Sequence, residues 1–140
     1  MKVRLLFSGL TNFFKGRETD MTVKELIDKV QEEKPNTFDD AKLVSYVNEI
    51  ESEVAEQLRL TQTPEYNTEE LNKSLLLSYP YNRLYVSYLK AQIDYANEEY
   101  ASYENNAAQH VQDFRDFTDW VVRTGQAEEK SFTNRFRNIF

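Results

Sequence analysis

Pro80-Tyr81-Asn82-Arg83-Leu84-Tyr85-Val86-Ser87-Tyr88-Leu89-Lys90-Ala91-Gln92-Ile93-Asp94-Tyr95-Ala96 opens the longest regular pattern in the chain, and its reading decides the fold. Proline is tolerated at the first position of a helix, where its missing N–H would have no intrahelical partner. From there Tyr85, Leu89, Ile93, Ala96, Tyr100, Tyr103, Ala107, Val111, Phe114, Thr118 and Val121 stay within about 40° of one direction at 100° per residue. Gly125 stands where a left-handed residue closes a helix. Tyr81, Leu84, Tyr88, Tyr95 and Phe117 make a second, adjoining stripe, so the helix is expected to touch neighbours on two sides.

As one helix, residues 80–124 would extend about 68 Å, against a radius of gyration of about 14 Å for a compact chain of this size. Either the helix breaks, with Asn105-Asn106 the weakest pair of helix formers, or another copy covers its apolar end. The stripe keeps its phase across the two asparagines, which favours a continuous helix and an oligomer.

Upstream, Thr22 with Glu25 forms a capping box. Val23, Leu26, Ile27 and Val30 follow at helical spacing until Pro35, giving a helix over about 22–34. Thr37 and Asp40 open a second helix over about 39–60, with Leu43, Val47, Ile50, Val54 and Leu58 on one face and acidic residues on the other. Residues 61–68 carry turn formers without periodicity, and Asn67 with Glu70 caps a short turn through Leu71 and Leu75.

Three glycines, Gly9, Gly16 and Gly125, leave 17–124 without any. Tight hairpins and the phosphate cradles of nucleotide-binding loops both depend on glycine. The expected fold is therefore all-α: a small helical bundle with one long C-terminal helix. Its 140 residues suit a single domain, divided as a leader (1–20), a helical domain (21–125) and a tail (126–140).

The formal charge is −7, yet residues 1–20 carry +2 and the remaining 120 carry −9. Such a body is ill suited to gripping a polyanion. With no Cys and one His, disulfide frameworks, thiol nucleophiles and polynuclear His sites are excluded. No apolar run reaches the roughly 18–20 residues that span a bilayer, and the N-terminal segment lacks a signal-peptide cleavage pattern, so the chain reads as soluble and intracellular. Adjacent acidic pairs such as Asp39-Asp40, Glu98-Glu99 and Glu128-Glu129 point to different helix faces, unlike carboxylates held across a cleft for acid–base work. His110 follows Ala107, not a glutamate, at i−3, which removes a di-iron bundle. It reads as a boundary residue satisfied by a hydrogen bond. No catalytic, metal or cofactor residue is assigned.

The nine tyrosines read as amphipathic packing residues of the sort enriched at wet interfaces. In the tail, Phe132, Phe136 and Phe140 recur every four residues with Arg135 and Arg137 between them. A segment so short is marginal as an isolated helix and is expected to dock, on its own bundle or on a partner. The candidate partner or inter-subunit contacts are Tyr81, Tyr88, Tyr95, Phe117, Phe132, Phe136 and Phe140.

The run Met21 to Val30, then Lys34-Pro35-Asn36 and Asp39-Asp40 before an acidic amphipathic helix, and later Tyr79-Pro80-Tyr81-Asn82-Arg83-Leu84-Tyr85 continuing through Ile93-Asp94-Tyr95-Ala96-Asn97-Glu98-Glu99-Tyr100, resembles the small head-to-tail connector (head completion, or adaptor) proteins of tailed bacteriophages and prophages. The resemblance covers about 21–122 and rests on helix patterns and a Pro-Tyr-Asn helix start. It implies a subunit without enzymatic activity or cofactor that forms a ring, commonly a dodecamer, beneath the portal protein at the head–tail junction of the virion, after assembly in the host cytoplasm. The ring would extend the DNA channel without sequence-specific binding and present a platform to a downstream head-completion or tail-terminator protein; no membrane is involved. Residues 1–20 lie outside the resemblance, as an extension that reaches a partner or as translation from an upstream start with Met21 the initiator. The alternative function is a DNA-binding packaging or regulatory protein, such as a small terminase subunit, for which the chain offers only scattered Arg83, Lys90, Arg115 and Arg123.

Overall fold

The computed structural model describes residues 21–125. Among the described residues four helices follow one another: α1 (Val23–Glu33), α2 (Asp40–Gln57), α3 (Arg83–Ala96) and α4 (Tyr100–Thr124). The fold is all-α, as its hydrophobic periodicity predicts, and α4 is the long C-terminal helix. The leader (1–20) and the tail (126–140) lie outside the described residues. Among the described residues no helix is long and apolar enough to cross a membrane.

The N-terminus of α1 is closed twice over. The capping box forms, with the Glu25 amide donating to Thr22 Oγ1 at 3.1 Å and the Thr22 amide to Glu25 Oε1 at 3.4 Å. Backbone from the 58–82 connector then satisfies two more first-turn donors, Val23 N–H on the Lys73 carbonyl and Lys24 N–H on that of Leu71. These are the amides that a helix cannot pair internally. For α2 the cap is Asp39, which accepts from the Lys42 amide at 2.9 Å.

α2 and α3 both end in Schellman turns built without glycine. At the end of α2, Arg59 sits at φ +61, with its N–H on the Glu56 carbonyl and the Leu60 N–H on that of Ala55. At the end of α3, Glu98 sits at φ +60, with its N–H on Tyr95 and the Glu99 N–H on Asp94. This double pairing defines the motif. The expected continuous helix is therefore broken at 97–99, and Asn105 and Asn106 lie inside α4. Its N-terminal limit also moves: the Tyr79–Pro80 bond is cis, residues 78–82 form turns, and the helix starts at Arg83. α4 ends at Gly125 (φ +68), as expected.

Because the break reverses the chain, α4 runs back antiparallel along α3. Asp94 meets Ser102 and Asn106 beside the corner, Ser87 meets Asp113 midway, and Tyr81 stacks on Trp120 at the far end. The pair spans about 37 Å instead of 68 Å. Length alone thus gives no reason to require a second copy.

α3 is the central helix and touches the other three. Its Leu84, Tyr85, Leu89 and Ile93 are fully buried with Val23, Leu26 and Val30 of α1, Leu43, Val47, Ile50 and Val54 of α2, and Phe117 of α4. The connector contributes Tyr66, Leu75 and Leu77 to this core. Asn48 holds it in place, donating to the Tyr66 carbonyl at 2.9 Å and accepting its amide at 2.8 Å.

Candidate functional site

The described tyrosines and Phe117 fall in unlike settings. Tyr95 is 58% exposed, with Tyr100 and Tyr103 packed edge-on against it at the α3–α4 corner. Tyr81 is half-buried, stacked on Trp120 at 5.0 Å between ring centres, and its hydroxyl accepts from Arg123. Tyr88 is half-buried against the His110 ring, and its hydroxyl donates to Glu49 at 2.9 Å. Burial, with that hydrogen bond, pushes its phenol pKa up.

Phe117 is corrected: it is fully buried, beside Phe114 and Trp120, and belongs to the subunit's own core instead of a contact surface. Phe132, Phe136 and Phe140 lie outside the described residues.

The reversal at 97–99 changes which face of the expected continuous helix is buried on α4. Its inward face centres on Asp113, Phe117 and Val121, so Val121 of the stripe expected in the core stays buried while the rest of that stripe runs along the helix edge or outward. Tyr100 is 55% and Val111 56% exposed, and Val122, one turn beyond Thr118, is 50% exposed. These three lie within about 40° of each other and are spaced over about 33 Å of the helix, with the exposed Glu104 and Arg115 between them.

Ser87, His110 and Asp113 come together under this helix, a combination that invites comparison with a nucleophile triad. The hydrogen bonds run the wrong way for one. His110 Nδ1 lies 3.1 Å from the Leu84 carbonyl, which can only accept, so Nδ1 carries a proton. Ser87 Oγ donates to Asp113 Oδ2 at 2.9 Å and stands 3.4 Å from Nδ1. The imidazole therefore offers the serine no basic nitrogen, and the carboxylate does not orient the ring as a triad requires. Burial lowers the His110 pKa, against the opposing Leu84 carbonyl and Asp113. His110 is the hydrogen-bonded boundary residue that its sequence position suggested.

Two buried acids hold the frame. Glu51 is fully buried and accepts from Tyr85 Oη at 2.6 Å, Tyr66 Oη at 2.8 Å and the Leu76 amide at 2.9 Å. Burial raises its pKa to about 7 against those three donors. Asp94, also fully buried, accepts from Ser102 and Asn106 on Oδ2, while Oδ1 faces the Lys34 ammonium. Burial pushes its carboxyl up, but the Lys34, Ser102 and Asn106 hydrogen bonds outweigh this and hold it below its usual value.

Between α1, α3 and α4 lies a cleft of about 290 Å³. Lys29, Arg83 and Lys90 stand around it with Glu33, above a floor that includes Ser87 and Asp113. This is at the small end of the range for ligand pockets, of a size for side chains. Among the described residues no His, Asp and Glu side chains gather as a metal-holding group.

No protein-family model, curated protein or solved structure matches the chain. Sequence reasoning missed the buried Glu51 and Asp94: Glu51 sits among the exposed Glu49, Glu53 and Glu56 of α2, and Asp94 is the one acid of α3, next to the exposed Tyr95. The one available signal was that each falls beside core positions, Glu51 after Ile50 and Asp94 after Ile93.

Proposed function

We propose that the chain is a structural virion protein, a head-to-tail connector subunit that assembles as a ring beneath the portal of a tailed phage. The observation that carries this reading is the exposure of Tyr100, Val111 and Val122 on the outward side of α4. A helix that spends one face on its own core and still exposes large apolar side chains among polar ones on the other is suited to contact with another chain. The resemblance of residues 21–122 to connector proteins names the setting. Ten basic and twenty acidic residues between 21 and 125 add support, because a wall of like sign to phosphate lets DNA slide through a channel.

The packaging-protein alternative has weaker support. Arg83 and Lys90 share α3 but border a cleft with Glu33 and Asp113, and Arg115 and Arg123 share α4 with Asp113, Asp116 and Asp119.

The test is assembly of the full chain, alone and with portal protein, followed by sedimentation velocity and negative-stain microscopy. Rings, or a complex seated on portal, are expected. Val111→Glu should weaken that association while leaving the circular dichroism unchanged, because Val111 stands outside the core. A chain that stays monomeric and ignores portal overturns the proposal, as does DNA retention at physiological salt without any assembly.

A further inference from the structure

The cleft and the outer face of α2 carry opposite charge. Around the cleft, Lys29 and Lys90 share a single carboxylate, Glu33, at 3.4 and 3.3 Å. Arg83 is exposed and gives its Nε to the neutral carbonyl of Pro80 at 3.1 Å. Asp113 on the floor is occupied by Ser87 and Gln109, each at 2.9 Å. Three cations against the two carboxylates Glu33 and Asp113 leave the rim an excess of one positive charge, and it holds three of the ten basic residues between 21 and 125.

On α2, Glu49, Glu53 and Glu56 are exposed at successive turns. Like charges three and four residues apart on a helix repel. Partial burial, with the neighbouring Glu56 and Glu49, pushes the Glu53 carboxyl up.

These surfaces face away from each other. Tyr88 on α3 reaches Glu49 of the ridge, whereas Lys90 reaches Glu33 beside the cleft. Two residues along a helix are about 200° of rotation, so ridge and rim lie on opposite sides of α3. Their spacing also agrees: Arg83 to Lys90 and Glu49 to Glu56 are each seven residues, about 10.5 Å along a helix axis. A surface that complements a different surface of the same chain makes a heterologous contact, which repeats around a ring when the rotation closes. For strongly acidic subunits, such a contact sets cation against anion where side-by-side packing would otherwise set acid against acid.

We infer that neighbouring copies join head to tail, the Glu49, Glu53 and Glu56 ridge of one seating on the Lys29, Arg83 and Lys90 rim of the next. This rests on the ring reading and specifies its lateral contact.

The experiment uses two double variants of the full chain at exposed positions. One carries Glu53→Lys with Glu56→Lys, the other Lys29→Glu with Arg83→Glu. Each is assayed by sedimentation velocity and microscopy under conditions in which the wild type assembles, with circular dichroism as the folding control. Each variant alone opposes like charges and should assemble at least tenfold more weakly. Mixed one to one, the lysine ridge of the first variant meets the glutamate rim of the second, and the native acidic ridge of the second meets the native basic rim of the first, so rings of alternating variants should return.

Wild-type-like rings from either variant alone, or a mixture that stays dispersed, overturns the ridge-to-rim contact while the ring reading stands. A wild type that never assembles, alone or with portal, overturns both. The neutral pair Glu53→Gln with Glu56→Gln serves if a reversal variant misfolds: it should weaken assembly and flatten the loss of assembly with salt. An unchanged salt response overturns the contact.

Discussion

Replacing Glu51 by Gln should remove a pH dependence that the fold builds in. Glu51 is fully buried and surrounded by neutral donors, the Tyr85 and Tyr66 hydroxyls and the Leu76 amide. Its pKa rises from 4.5 to about 7 in the folded chain, chiefly through burial. A carboxyl whose folded pKa is raised binds its proton more tightly folded than unfolded. Its contribution to stability is therefore greatest below about pH 4.5, falls as pH rises to about 7, and is level above that. One pKa unit is worth about 1.4 kcal/mol, so the full swing is about 3 kcal/mol, of which about 2 kcal/mol falls between pH 5.5 and 8.

Glutamine keeps the shape and loses the titration, although it leaves one of the three donors without an acceptor at a cost of about 1–3 kcal/mol. That cost does not change with pH. Urea unfolding of both proteins at pH 5.5 and 8, followed by circular dichroism, gives two stability gaps. The gap should move by about 2 kcal/mol in favour of Glu51→Gln at pH 8. A gap constant to within about 0.5 kcal/mol would refute the reasoning, since it would mean that Glu51 holds its proton alike in both states.

Lys34→Ala should destabilise by about 3–5 kcal/mol, because it leaves the buried Asp94 carboxylate without its cation; urea unfolding at pH 7 checks this, and a loss below about 1 kcal/mol removes the corner clamp. Glu98→Gly should stabilise by about 1 kcal/mol, since Glu98 occupies a left-handed conformation that costs a side chain about that much. A fall in urea midpoint for Glu98→Gly contradicts it.

The helices were legible wherever the signal was local. Thr22 with Glu25, Pro35 and Gly125 mark ends through hydrogen bonds or backbone freedom that lie within a few residues. The reversal at 97–99 was not legible, because a side-chain-bearing residue, Glu98, occupies the left-handed turn position where glycine would have announced it, and because the apolar stripe keeps its phase across the gap. What holds the reversal is distant: Lys34 of the α1 C-cap meets Asp94, while Asp94 meets Ser102 and Asn106 across the corner.

The same event redistributed the candidate contacts. Tyr95 kept its exposed place, Phe117 moved into the core and Val111 moved out, since reversing a helix changes which face meets its neighbour. The sequence by itself determined that the chain is helical, acidic and without glycine from 17 to 124, because periodicity, charge and backbone freedom are properties of residues and their near neighbours. Only the tertiary structure decided where the long segment folds back, which acids are buried and which apolar side chains face outward, because burial and ion pairing depend on residues brought together from far along the chain.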